Sequence, residues 1–437
     1  MRCLRTGEER CWGFLEALRD RGGTLAQEVE DQVRTILRDV RGHGQEALLR
    51  WARDLDGLPS GVTELEIPPP RWEKALEGLS PEDRAALELA AGRIEAFHRR
   101  QMQESWLTVD EEGALLGQMV RPLERVGVYV PGGKASYPSS VLMSAIPARV
   151  AGVREVIMCS PLSWSAPDRW VLAAAQAAGV DRIFRLGGAQ AIGAMAYGAG
   201  AVPRVDKIVG PGNVYVATAK RLVFGEVDID MVAGPSEIVV VADGSVPARW
   251  AAADLLSQAE HDELASAVML TPSEAYAREV DHEVSRLLAS SDRSIIAQSA
   301  LERFGGILIT QGLDEAFQIA SQIAPEHLEL LMERPLEHLH RVRHAGAVFL
   351  GPWSPEPMGD YLAGPNHVLP TGGTARFFSP LGVEEFLKRT SVIGFSQSAL
   401  GRLGESVVRL ANLEGLSAHA RSVQVRLDGM KRATPQS

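Results

Sequence analysis

The sequence predicts an α/β protein built on parallel sheets, and three observations predict it. Short apolar runs of strand length recur from about residue 125 onward, Ala-rich stretches of helical character lie between them, and Gly-rich turns join the two. Strands that are apolar throughout, alternating with helices, mark sheets covered on both faces.

Taken in order, residues 1–124 read as mostly helical. The clearest helix start is Ser80-Pro81-Glu82-Asp83, where a Ser cap, Pro at the first helical position and acids in the first turn coincide. The stretch LPSGVTELEIPPP (58–70) interrupts that pattern as a connection. Strands are then expected at VGVYV (126–130), EVIMCS (155–160), RIFRL (182–186), KIVG (207–210) and EIVVVA (237–242), with VLAAAQAAG (171–179) as an intervening helix. The alternation continues through AVMLT (267–271), GILIT (306–310) and AVFLG (347–351). The turn Ala233-Gly234-Pro235-Ser236 is the expected crossing between two α/β lobes. The division is therefore a helical part over 1–124, a first lobe over 125–235, a second over 236–380 and a C-terminal tail over 381–437.

Composition narrows the function. The 437 residues carry a formal net charge of −11, against the basic face that nucleic-acid binding needs. Cys3, Cys11 and Cys159 have no spacing of a disulfide framework or a CxxC zinc site, which fits a reducing, cytoplasmic setting. Cys159, at the end of an apolar strand, reads as core rather than as a nucleophile. Charges throughout residues 1–20 argue against a signal peptide, and no apolar run reaches the length of a membrane span.

Four polar groupings sit in apolar or Gly-rich surroundings. Gln258 and His261, three apart at a helix end, could share a metal or ligand, or form only a polar terminus. Pro325 suits the first turn of a helix, which would place Glu326 and His327 at its positive end as an acid/base pair, or leave Glu326 as a helix-start acid that only complements the dipole. MGDYLAGPNH (358–367) offers Asp360 and His367 from a Gly-rich loop, or a solvated turn. EGLSAH (414–419) offers Glu414 and His419, unremarkable by themselves. His338, His340 and His344, interleaved with arginines, read as a solvated helix and not as a metal site. GPGNVY (210–215) and GGAQAIG (187–193) are incomplete phosphate-cradle patterns: Tyr215 stands where a third Gly would, and no Lys-Ser/Thr follows.

Together these stretches resemble the histidinol dehydrogenase family over roughly residues 25–427. The resemblance is carried by RVGVYVPGGKASYPSSVLMSAIPARVAGV (125–153), GGAQAIGAMAYG (187–198), VDKIVGPGNVYVATAK (205–220) and DMVAGPSEIVVVAD (230–243). It continues through DLLSQAEH, IAPEHLEL, the run 359–393 and LEGLSAHARSVQVRL. The resemblance implies two lobes with incomplete Rossmann-like parallel sheets, a helical N-terminal part and an extended C-terminal tail that crosses to the partner in a homodimer. It implies a Zn2+ ion held by Gln258, His261, Asp360 and His419, and a catalytic pair Glu326 and His327. It implies substrate contacts at Ser236, His367 and Glu414 as well as at His327 and the four zinc ligands, with NAD contacts at Tyr129, Gln190 and Asn213. The implied reaction is the NAD-dependent oxidation of L-histidinol through L-histidinal to L-histidine. A relative acting on another small polyol such as a sulfonated diol, a zinc hydrolase using Glu326 to activate water, and a silent binding protein are the competing readings.

Overall fold

The computed structural model describes residues 1–21, 27–132, 137–165 and 168–433. The chain opens with β1 (Arg2–Arg5), α1 (Glu9–Asp20), α2 (Gln27–Leu55), β2 (Glu66–Ile67), α3 (Pro81–His98), β3 (Trp106–Val109) and β4 (Ala114–Pro122). A first alternating series follows: β5 (Arg125–Tyr129), α4 (Pro138–Ala151), β6 (Glu155–Ser160), α5 (Arg169–Ala177), β7 (Arg182–Arg185), α6 (Gly188–Tyr197), β8 (Lys207–Val209), α7 (Val214–Val223) and β9 (Asp228–Ile229). The second series is β10 (Glu237–Ala242), α8 (Ala248–Ala259), β11 (Ser266–Thr271), α9 (Glu274–Leu288), α10 (Ser294–Phe304), β12 (Gly305–Ile309), α11 (Leu313–Ile323), β13 (His327–Leu331), β14 (Ala347–Leu350) and α12 (Glu356–Tyr361). β15 (Leu387–Phe395), α13 (Gln397–Leu413) and α14 (Ser417–Ala433) close the chain.

Two six-stranded sheets carry the same winding. In the first, order β2-β7-β6-β5-β8-β9, the chain starts at β5, steps outward through β6 to β7, then returns to the other side of β5 with β8 and β9. These five strands are parallel, and only β2 is antiparallel. In the second, order β1-β12-β11-β10-β13-β14, β10 takes the central part and all pairs are parallel. Each sheet is thus a doubly wound series one strand short of the six-stranded dinucleotide fold, with its winding reversed beside β5 or β10. The predicted α/β class with incomplete Rossmann-like sheets is what the structure has.

The cores explain the helices. Leu37, Val40 and Leu48 of α2 pack with Ile192 and Met195 of α6 beside the first sheet. α2 passes so close to α6 that a Cβ at Gly193 would lie 3.1 Å from Leu37. The second sheet is covered on one face by α8, α9 and α10 and on the other by α1 and α11. Leu48, Ile192 and Ile307 are fully buried, each stabilising the fold by about 2 kcal/mol. Cys159 is fully buried in β6, as expected of a core residue.

The chain divides into two compact units, Met1–Gln101 with Leu123–Phe386, and Met102–Pro122 with Leu387–Ser437. Here the structure departs from the sequence reading. The stretch read as mostly helical does carry α1 to α3, but it also holds strands β1 to β4 that the reading did not place, and β1 joins the second sheet, pairing with β12. The expected extended tail is a folded part: β15 pairs antiparallel with β4 along its whole length, β3 adds to β4, and α13 packs on α14. Gly404 sets that helix contact, since a Cβ there would meet Leu427 at 3.0 Å. Among the described residues no helix is long and apolar enough to cross a membrane.

Candidate active site

The site is built on the polar face of β13. Ala324 ends α11 in the left-handed region (φ 51°), and the Pro325 carbonyl accepts a hydrogen bond from the Gly346 N–H. The chain therefore enters a strand there rather than the expected helix, and His327 is its first residue. The correction has a plain cause: alternation in HLELL places Leu328 and Leu330 in the core against Phe317, while His327, Glu329 and Leu331 face the α8 side. Acid and imidazole are therefore positioned by a β ladder and not by a helix dipole.

Glu326 and His327 are both held by the backbone of Glu237, the first residue of β10. The Glu237 N–H donates to Glu326 Oε2 at 2.9 Å, and its carbonyl accepts from His327 Nδ1 at 3.1 Å. A carbonyl can only accept, so Nδ1 carries the hydrogen and Nε2 keeps its lone pair. That Nε2 is buried without a hydrogen-bond partner. Burial holds the His327 pKa down to about 4, with Asp360 opposing, so the ring is neutral at pH 7. Burial pushes Glu326 well above the usual carboxylate range; the Glu237 N–H opposes this, and the nearby carboxylates of Glu237, Asp360 and Glu356 add to it.

Buried polar atoms lacking partners also occur on α8 and α12. Gln258, in the last turn of α8, is fully buried with neither amide atom hydrogen bonded. Glu356 Oε1, from α12, lies 3.6 Å from His327 Nε2 and is also unpaired. Asp360 stands one turn further along α12, a short helix where a Gly-rich loop was expected. Donor atoms of His327, Glu356 and Asp360 lie within 4.8 Å of one another, a spacing able to hold a metal ion. Burying an unpaired polar group costs about 1–3 kcal/mol, so this concentration of them fits a bound cation. His261, exposed just beyond α8, is close enough to act electrostatically on both His327 and His367. His367 Nδ1 donates to the Asp360 carbonyl at 3.1 Å, and Ser236 is half-buried immediately before Glu237. Glu414 and His419 belong to the second unit, at the junction of α13 and α14, and both are exposed.

Glu356, Glu329 and Asp254 were not among the sequence candidates. The Asp254 and Glu329 carboxyls are close enough to perturb each other, and the Glu356 N–H donates to Glu329 Oε1 at 2.9 Å. The only available signal was Pro355 before Glu356, which marks a helix start but not a ligand. His340 lies on a 3-10 turn and His338 at the junction of two such turns, rather than on the expected helix, and His338 stacks on Phe317.

The first sheet offers a different surface at its winding reversal, between the C-terminal ends of β5 and β8. Tyr129 ends β5, and Asn213 caps α7 by accepting from the N–H groups of Tyr215 and Val216 at 3.1 Å. Gly210 has φ 112°, and a Cβ there would lie 2.1 Å from the Tyr129 carbonyl oxygen, so only glycine fits. The Tyr129 hydroxyl accepts from the Gly188 N–H, and Gln190 donates to Asp56 at 3.0 Å. Tyr129 and Gln190 are buried, tied to the Gly187–Gly188 turn, whereas Asn213 is exposed. Crevices at such reversals are the usual dinucleotide sites of doubly wound sheets.

Comparison with known proteins follows this geometry. The family model described as histidinol dehydrogenase matches residues 19–427. The chain is 56% identical to the histidinol dehydrogenase of Syntrophotalea carbinolica, over 98% of this chain and 99% of that one. It is 53% identical to that of Aquifex aeolicus, over 94% and 95%. The crystal structure of histidinol dehydrogenase from Elizabethkingia anophelis superposes with a TM-score of 0.92 at 32% identity, over 99% of both chains.

Proposed function

The chain belongs to the histidinol dehydrogenase family of oxidoreductases, and from that premise we propose that it converts L-histidinol through L-histidinal to L-histidine, the closing steps of histidine biosynthesis. The balanced reaction consumes two NAD and one water and yields two NADH and three protons. The observation that carries this reading is the His327 ring: neutral, Nδ1 fixed by a backbone carbonyl, Nε2 unpaired and facing the donor cluster.

When bound, NAD takes the hydride at each oxidation and zinc holds the substrate's nitrogen donors in place. Gln258, His261, Asp360 and His419 are the residues we assign to the zinc; the unpaired Gln258 amide and the position of Asp360 support it. Asn213 and the Gly210 turn are the surface we assign to the dinucleotide, with Tyr129 and Gln190 supporting the adjoining turn.

In the first oxidation His327 Nε2 accepts the alcohol proton. In the second, Glu326 takes a proton from the water that attacks the aldehyde, and His327 accepts the proton of the resulting hydrate. Glu326 must be a carboxylate for this, and a cation in the cluster would draw its raised pKa back down. Ser236 and His367 line the substrate's place. With one carboxylate among the assigned ligands, the site keeps the positive charge that attracts neutral nitrogen donors.

Glu414 and His419 enter, on this reading, from a second copy of the chain. The second unit supports a paired state by its apolar exposure: Leu107 is 61% exposed, Ile393 70% and Leu413 76%. The test is NADH formation with L-histidinol at decreasing protein concentration. Turnover with L-histidinol that falls on dilution below the dimer constant supports the reading. Turnover only with a sulfonated diol would move the substrate, and activity independent of dimer content would remove Glu414 and His419 from the site.

A further inference from the structure

We infer that Arg21, acting through Glu237, is a positioning residue for both Glu326 and His327. The inference rests on the roles proposed for that pair. One residue supplies the hydrogen bonds that orient them: the Glu237 N–H donates to Glu326 Oε2 at 2.9 Å, and its carbonyl accepts from His327 Nδ1 at 3.1 Å. The first bond leaves Glu326 Oε1 for a proton from water. The second selects the His327 tautomer whose Nε2 is basic.

The Glu237 side chain is itself anchored on two sides. One carboxylate oxygen accepts from the Gly372 N–H at 2.7 Å; the other accepts from Arg21 Nη2 at 2.9 Å. Arg21 also donates to the Pro235 carbonyl at 3.3 Å, so one guanidinium grips both the side chain and the turn that leads into β10. Gly372 and Gly373 have φ of 62° and 78°, a backbone form that aims successive N–H groups at one anion. The Arg21 and Glu237 side chains are 2% and 6% exposed. A buried ion pair is a poor source of net stability, but removing one partner leaves a buried charge without compensation. The charge of Arg21 also reaches Glu326. Replacing it would expose Glu326 to the uncompensated Glu237 carboxylate and loosen the peptide that carries both orienting bonds.

The experiment is a set of variants assayed as the zinc-loaded protein, with folding checked by circular dichroism and zinc content by mass spectrometry. Arg21→Met is expected to lower kcat about 10- to 100-fold, leaving KM for L-histidinol within about 2-fold and zinc content unchanged, because orientation and not binding is lost. Arg21→Lys restores part of kcat, since a point charge reaches Glu237 but cannot grip Pro235 as well. Arg21→Met combined with Glu237→Gln also recovers part of kcat, since the unpaired buried charge is gone while both backbone bonds stay; this pair is assayed even where Arg21→Met alone folds poorly. Full kcat in folded Arg21→Met, or a double variant no better than the single one, overturns the positioning role. Glu326→Gln and His327→Asn are run beside them: full activity in those would sink the roles of the pair, a failure distinct from that of Arg21.

Discussion

Replacing Glu326 with glutamine separates the two oxidations. The Glu237 N–H bonds Glu326 Oε2 at 2.9 Å, and a glutamine amide oxygen can accept the same bond. Its NH2 then occupies the place of the oxygen that would take a proton from water. Folding should change little, within about 1–2 kcal/mol, because one new donor seeks a partner while a buried ionisable group disappears. Rate should change greatly. General-base assistance is worth about 100- to 10,000-fold, or about 3–5 kcal/mol of barrier, and only aldehyde oxidation needs an activated water. The assay supplies L-histidinol or L-histidinal separately with NAD and follows NADH in single turnovers. Alcohol oxidation should persist within about 10-fold while aldehyde oxidation falls by at least about 100-fold. Aldehyde oxidation at the unmodified rate refutes the assignment of the base.

Two further outcomes follow from the same geometry. Gly210→Ala places a Cβ 2.1 Å from the Tyr129 carbonyl oxygen at φ 112°, so the turn must move; NAD affinity by calorimetry should fall at least about 10-fold with zinc content unchanged, and unchanged NAD affinity would remove that turn from the cofactor site. Glu356 has its pKa pushed up to about 9 by burial and by Asp360, above its unfolded value. Its contribution is therefore fully present below about pH 4.5 and lost as pH rises toward 9, by up to several kcal/mol. In chelator-treated protein, Glu356→Gln should flatten the decline of melting temperature from pH 5 to 9, and parallel curves for the two proteins would contradict it.

Which features were legible in the sequence follows from where their signals reside. Runs such as EVIMCS and EIVVVA are strands buried on both faces, and their uninterrupted apolar character names them. The same logic fails at β13, where the site places His327 and Glu329 inside the sheet and Pro325 imitates a helix start. It fails again at β3, exposed along its whole length, and at β1, whose pairing with β12 is decided by contacts remote in the chain. Gln258, His327 and Asp360 are identifiable as polar residues among apolar ones; that His327 and Asp360 meet is a product of winding. Glu237 acts through its backbone, which leaves no mark in residue type, and Arg21 acts through Glu237. Glu356 was hidden by having the composition of an ordinary helix start.

The most direct test of the central claim is stoichiometric. Metal-replete protein is given a limiting amount of L-histidinol with excess NAD, and NADH is counted per histidinol consumed. Two NADH per substrate with L-histidine as product, abolished by a chelator and restored by zinc, is the predicted result. One NADH with L-histidinal as the final product, or two NADH from protein that zinc neither aids nor restores, contradicts it.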